Sequence, residues 1–267
     1  MQKTSRKSVA AFVDVLHGKG RYAFTKSELM KATGESDAIL KLPLWRLARK
    51  RRIVLIRRGF YIIIPLEYAS GGYLPPEWFI ADLMKYIGLP YYVGLLSAAA
   101  NHGASHQQPQ ELHVVIPTTQ RIIRIGPLRI RFFKKADMEL SPTAESKTPT
   151  GYMLISNPAV TALDLVAYAT RVGGLDRVLT VLQELGEKIT SEMLLEAAKK
   201  ESTLAYVQRL GWLLDKAGHN EVVKKLAGWI SLQNLRETAL DSSSQRKGAS
   251  RERRWKVIVN TEVQGDL

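Results

Sequence analysis

The sequence predicts an α+β protein, and three observations predict it. Three helix-spaced segments within residues 6–51 precede two β-rich runs joined through a glycine. Between residues 112 and 156 the apolar residues fall in short runs of strand length. From Asn157 onward they recur at helical spacing. Read together, these stretches predict an N-terminal winged helix-turn-helix over residues 1–68. An α+β and helical part follows over 69–235, then a polar tail with a short terminal strand over 236–267.

The elements follow in order. In residues 6–17, Val9, Phe12, Val13 and Leu16 are spaced for one helix face, and Gly18 stops the helix. Residues 25–34 start on Thr25, carry Glu28 at the capping-box position and end at Gly34. Ser36 or Asp37 caps a third helix running to about Arg51, in which Pro43 predicts a kink or a later start. Ile53–Ile56 and Phe60–Ile64 then form a hairpin through Arg57-Arg58-Gly59, closed by Pro65.

Residues 76–87 and 91–102 predict helices, and Leu112–Ile116, Arg121–Ile125 and Leu128–Phe133 predict strands. A polar loop is expected over 134–150 and a strand over Tyr152–Ser156. Asn157-Pro158 is a helix start with proline at the first position, running to about Arg171 until Gly173-Gly174 breaks it. Amphipathic helices follow near 175–185, 190–200, 202–217 and 219–229. The Ser/Arg-rich stretch 236–254 predicts a flexible segment before a strand at Trp255–Val259.

Charge is distributed unevenly. The net charge is +14, and residues 1–68 alone hold 15 Lys/Arg against 5 Asp/Glu, a net of +10. Residues 161–230 are neutral, with nine of each sign. A basic module joined to a neutral remainder predicts a reader of polyanions with a second function elsewhere.

At about 100° per residue, Leu40, Leu44, Leu47 and Ala48 fall on one face of the third helix. Lys41, Trp45, Arg46, Arg49 and Arg52 point largely the other way, and Arg57 and Arg58 occupy the hairpin tip. In a helix-turn-helix the face opposite the core enters the major groove, so these seven residues are the candidate contacts to double-stranded DNA. The plain alternative is an ordinary solvated face, and Trp45 equally fits packing against a neighbouring domain. Arg121, Arg124, Arg129 and Arg131 give the middle strands a basic face that either extends this surface or is simply solvated.

Several chemistries find no support. The absence of cysteine excludes disulfides, thiolate zinc sites and cysteine nucleophiles, and fits a cytoplasmic protein. No apolar run approaches the ~20 residues of a membrane span, and the basic start lacks the apolar core of a signal peptide. There is no phosphate-binding loop and no dinucleotide-binding glycine fingerprint. His102 and His106 stand four apart, but Gly103 lies between them and Gln-Gln-Pro follows, so they read as helix-end and loop histidines. His113 reads as a packed or edge residue of a strand. Asp164, between Leu163 and Leu165, reads as a buried, hydrogen-bonded carboxylate or a surface residue. The sequence therefore predicts no enzyme, metal or cofactor.

The run LWRLARKRRIVLIRRGFYII, followed by YYVGLLSAAANHGAS, LHVVIP and the late RRWKVIVN, resembles the AbiEi-type antitoxins of type IV abortive-infection toxin–antitoxin systems. The likeness extends from about residue 8 to 260, and the middle segment distinguishes it from other winged-helix regulators. It implies an N-terminal winged helix that represses its own operon, and the basic third helix and wing predict binding to a repeated site in that promoter. It also implies a C-terminal antitoxin domain that counters a co-transcribed AbiEii-type nucleotidyltransferase toxin without a tight complex. The toxin's own chemistry needs a Gly-Ser followed by paired carboxylates, a motif that does not occur here. The alternative reading is a stand-alone winged-helix transcriptional regulator with a C-terminal sensing or dimerisation domain.

Overall fold

A computed structural model describes residues 8–104 and 110–265. The fold is mixed α+β. The chain runs α1 (Val9–Gly18), β1 (Ala23–Thr25), α2 (Lys26–Thr33), α3 (Asp37–Arg49), β2 (Ile53–Arg57), β3 (Phe60–Ile63) and α4 (Ile80–Ile87). It continues through β4 (Tyr92–Val93), α5 (Leu95–Asn101), β5 (Leu112–Ile116), β6 (Ile123–Ile125), β7 (Leu128–Lys134), β8 (Thr143–Thr148) and β9 (Gly151–Ser156). It ends with α6 (Pro158–Ala167), α7 (Gly174–Leu185), α8 (Ser191–Lys200), α9 (Leu204–Lys216), α10 (Lys224–Ser231), β10 (Thr238–Ala239), β11 (Ser250–Glu252) and β12 (Val257–Val259). These residues divide into two compact units. The first takes the chain through Tyr91 together with Thr119–Phe132 and Glu145–Met153; the second takes the rest.

In the first unit, Val13, Leu16, Leu29, Leu40, Leu44, Leu47, Phe24, Ile53 and Ile63 make one core from α1, α2, α3 and a small sheet. The sheet is antiparallel in the order β1-β3-β2, with Ala23 opposite Ile62 and Val54 opposite the same residue from the other side. Thr25 accepts from the Glu28 amide while Glu28 accepts from the Thr25 amide, a capping box that fixes the start of α2. Gly34 ends α2 with φ +71°. Pro43 lies inside α3, which nonetheless runs from Asp37 to Arg49. Proline there withholds the amide that would reach the Ile39 carbonyl. The helix stops at Arg49, earlier than the expected Arg51, because Arg51 has φ +53° and turns the chain into β2. Ala48 was expected inward but is exposed, since it stands at the margin of the leucine face.

In the second unit, β4 pairs antiparallel with β5 (Tyr92 opposite Val115) and parallel with β9 (Val93 opposite Ile155). The helix expected over 91–102 is thus a two-residue strand followed by a shorter helix, α5. Gly94 marks the change: a Cβ there would lie 2.9 Å from the Val115 side chain. Asn157 accepts from the Val160 amide, with Pro158 next in line, to begin α6. Every residue from Ala159 to Val166 is buried, so α6 is a core helix, packed against α5, α7, α8 and α9.

Two expected loops are corrected. Residues 134–150 contain a 3-10 turn (Met138–Leu140) and the strand β8. Residues 236–254 are built into the fold rather than flexible. β10 pairs parallel and β11 antiparallel with β12, giving a three-stranded sheet in the order β10-β12-β11. Asp241 organises the connecting turn, accepting from the Ser243 amide at 2.8 Å and the Ser244 hydroxyl at 2.7 Å. Trp255 is fully buried, and its indole N–H donates to Asp215 at 2.6 Å.

Candidate nucleic-acid interface

The core leucines of α3 fix what the helix presents outward. Lys41, Trp45, Arg46 and Arg49 are all exposed on it. The Arg49 guanidinium sits 4.9 Å above the centre of the Trp45 ring. This cation–π contact holds both side chains along the helix surface and leaves the guanidinium edge free to donate. Trp45 is 53% exposed, so this unit does not bury it.

Arg52 lies beyond the end of α3 and is paired with Asp14 of α1. Its guanidinium joins α1 to the start of β2. Arg57 and Arg58 are exposed at the turn between β2 and β3. Arg57 donates to the Gln120 side chain at 3.2 Å. The Arg58 carbonyl accepts from the Tyr86 hydroxyl at 2.8 Å, and the Gly59 carbonyl accepts from the Lys26 amide at 2.8 Å. Gly59 has φ +82°, and a Cβ there would lie 2.6 Å from the Tyr86 oxygen. The arginine-bearing turn is therefore tied down on both sides of its glycine, and only glycine fits the geometry.

A cleft of about 560 Å³ opens beside this turn, lined by Lys26, Asp37, Leu55, Arg58, Tyr61 and Tyr86 among others. Asp37 in the first turn of α3 is ion-paired with Lys26, and that hydrogen bond holds its carboxyl below the usual value. The acid next to the basic face is thereby neutralised. Sequence reading missed Tyr86 and the Lys26–Asp37 pair because each depends on an element distant in sequence. It also missed Ile39 and Leu42, exposed at 57% and 51%, which look like core candidates when taken singly.

The middle-strand arginines behave differently. Arg124 and Arg129 are opposite one another across the β6–β7 pair, and Arg129 donates to the Gly126 carbonyl at 2.8 Å. His102 caps α5 and contacts the Ser156 carbonyl at 2.8 Å; His106 lies outside the described residues. His113 is buried with its ring 5.0 Å from that of Phe133.

The second unit holds a buried charge cluster. Lys135 lies 3.0 Å from Asp164 and 3.1 Å from Glu201, and the other Asp164 oxygen accepts from the Tyr92 hydroxyl at 2.8 Å. Asp164 is 1% exposed, so burial pushes its carboxyl up. Burial works against the Lys135 ammonium, but Asp164 and then Glu201 outweigh it and raise its pKa. Lys135, Asp164 and Glu201 line a cavity of about 490 Å³ together with Tyr168 and Tyr206. Both Asp164 oxygens have partners, and Glu201 accepts from the Thr203 amide, so the cluster pins the segment after β7 to α6 and the α8–α9 turn.

Residues 92–216 match the family model of the AbiEi antitoxin C-terminal domain. No curated protein matches the chain significantly. Among solved structures, the crystal structure of the RV2827C protein from Mycobacterium tuberculosis is similar, with a TM-score of 0.66 at 14% identity. That likeness covers 93% of this chain and 90% of the other, and it is a likeness of fold.

Proposed function

We propose, from the premise that this chain is an AbiEi-type antitoxin over residues 92–216, that it also binds double-stranded DNA and represses its own operon. Residues 1–68 act as a winged helix-turn-helix with α3 as recognition helix and the β2–β3 turn as wing. The observation that carries this reading is the basic set presented by α3 and the adjoining turn: Lys41, Arg46 and Arg49 beside Trp45, then Arg57 and Arg58. An α-helix fits the major groove, where Arg46 and Arg49 suit the paired acceptors of guanine. Arg57 and Arg58 suit phosphates, whose contacts give most of the affinity. Arg52, paired with Asp14, holds the start of β2 to α1 and contributes charge rather than a base contact.

AbiEi antitoxins act within toxin–antitoxin systems, so the 92–216 domain answers to a toxin. We assign that toxin to the co-encoded nucleotidyltransferase class, acting in the same cytoplasm, with neutralisation that needs no stable complex. The protein itself works by binding and carries no catalytic role.

The test is a gel shift on a promoter fragment of the chain's own operon. Combined Arg46→Glu, Arg49→Glu, Arg57→Glu and Arg58→Glu substitutions should abolish the shift. Wild-type binding should weaken with salt by a logarithmic slope of about 0.9 per phosphate contacted. Sequence-specific binding by the quadruple variant at wild-type strength removes the winged-helix reading.

A further inference from the structure

α3 is unusual for a surface helix in what it leaves in water. Ile39 is 57% exposed, Leu42 51% and Trp45 53%, all within two turns. Single exposed apolar residues need no explanation. Three on one helix, spaced three apart, make a stripe. At about 100° per residue, Leu42 and Arg49 lie within about 20° of one another, opposite the mean direction of the buried Leu40, Leu44 and Leu47. Trp45 and Ile39 flank them, with Arg46 on the Ile39 side. The outermost line of the helix is thus apolar toward its start and cationic toward its end.

We infer that Leu42, with Ile39 and the Trp45 ring, reads thymine 5-methyl groups in the major groove, so that the bound site carries thymines facing the first half of α3. This rests on the DNA-binding reading above. The thymine methyl is the apolar feature that base pairs present in the major groove, and an aliphatic side chain recognises it by excluding water from both. The surroundings favour DNA as the occupant. Residues 1–68 carry a net +10, and Lys41, Arg46 and Arg49 are interleaved with the stripe. The nearby Asp37 is neutralised by Lys26. The core of a protein–protein interface is depleted in charge, whereas this stripe is crossed by it. The division also assigns the helix by halves: methyl contacts first, guanine or phosphate contacts by Arg46 and Arg49 later.

The experiment uses the full chain and one promoter fragment prepared twice, with thymine and with uracil throughout. Uracil keeps every hydrogen-bonding group and removes only the methyl. Wild-type protein should bind the uracil fragment more weakly, by roughly fourfold for each contacted methyl. Leu42→Ala should bind the thymine fragment more weakly than wild type and lose part of the thymine–uracil difference. Ile39→Ala serves as a second variant; both side chains are more than half exposed, so the fold does not depend on them. Equal wild-type binding to both fragments overturns this inference and leaves the DNA-binding reading standing. A uracil penalty that persists undiminished in both variants also overturns it, because the methyls are then read elsewhere or through DNA shape. No sequence-specific shift on the thymine fragment overturns the DNA-binding reading and this inference together.

Discussion

Lys135 is buried between two carboxylates, so the second unit depends on one ammonium to offset Asp164 and Glu201. Removing one partner of a buried ion pair leaves uncompensated charge, which costs about 3–5 kcal/mol. Lys135→Met should destabilise the protein on that order in urea melts, and lowering the pH should recover part of the loss by protonating the stranded carboxylates. The wild type should respond in the opposite direction at high pH. Lys135 is raised from its ordinary 10.5. Tyr168, chiefly by burial and then by Asp164, is pushed from 10.0 up to about 12. A raised pKa means that the folded state holds its proton more tightly. Stability from both groups is therefore complete below pH ~10 and is lost as the pH rises through the folded values. A urea midpoint that stays level between pH 9 and 11.5 would contradict this. The flanking leucines left Asp164 either buried and hydrogen-bonded or on the surface, and its 1% exposure decides for burial. Lys135 was not legible as its partner: it follows β7 in a stretch that reads as polar loop, and only the fold brings it under α6.

Among the elements, those with local signals were legible and those made by distant partners were not. The capping box at Thr25 and Glu28, the Asn157-Pro158 start and the glycine turn of the β2–β3 hairpin are contained within a few residues each. The two-residue strand β4 is too short to show alternation. The strand β8 is largely exposed and polar, so no apolar period marks it. The tail is the fullest example. Its Ser/Arg composition reads as disorder, yet its order comes from contacts with α9. Gln208 donates to the Trp255 carbonyl at 3.0 Å and the Arg236 carbonyl at 3.1 Å. Gly211 makes room for the Trp255 ring, since a Cβ there would stand 2.3 Å from it. Trp255→Ala should therefore cost about 3–5 kcal/mol. Gly211→Ala should cost about 1–3 kcal/mol by overpacking and should expose residues 236–254 to limited proteolysis. If Gly211→Ala leaves the tail as protease-resistant as wild type, the tail is not held by this packing.

At the scale of the whole molecule, charge and contacts divide the chain by different rules. Charge changes along the sequence, from a net +10 over residues 1–68 to neutrality over 161–230, and can be read directly. Contacts draw Thr119–Phe132 and Glu145–Met153 into the first compact unit, an interleaving that no linear pattern announces. Both rules keep the α3 and β2–β3 arginines apart from the core of α6 to α10 in kind: the former are exposed cations, the latter a packed apolar cluster. The two proposed activities should then separate by mutation. The quadruple Arg46, Arg49, Arg57 and Arg58 charge reversal touches exposed side chains only, so it should lose repression of a promoter reporter. It should still restore growth when the toxin is supplied from an independent promoter. The independent promoter is essential, because derepression of the native operon raises toxin as well and imitates lost rescue. A variant that is folded, as judged by its melting transition, yet protects no cells would mean that DNA binding is itself the antidote. The antitoxin activity would then belong to the basic face rather than to residues 92–216.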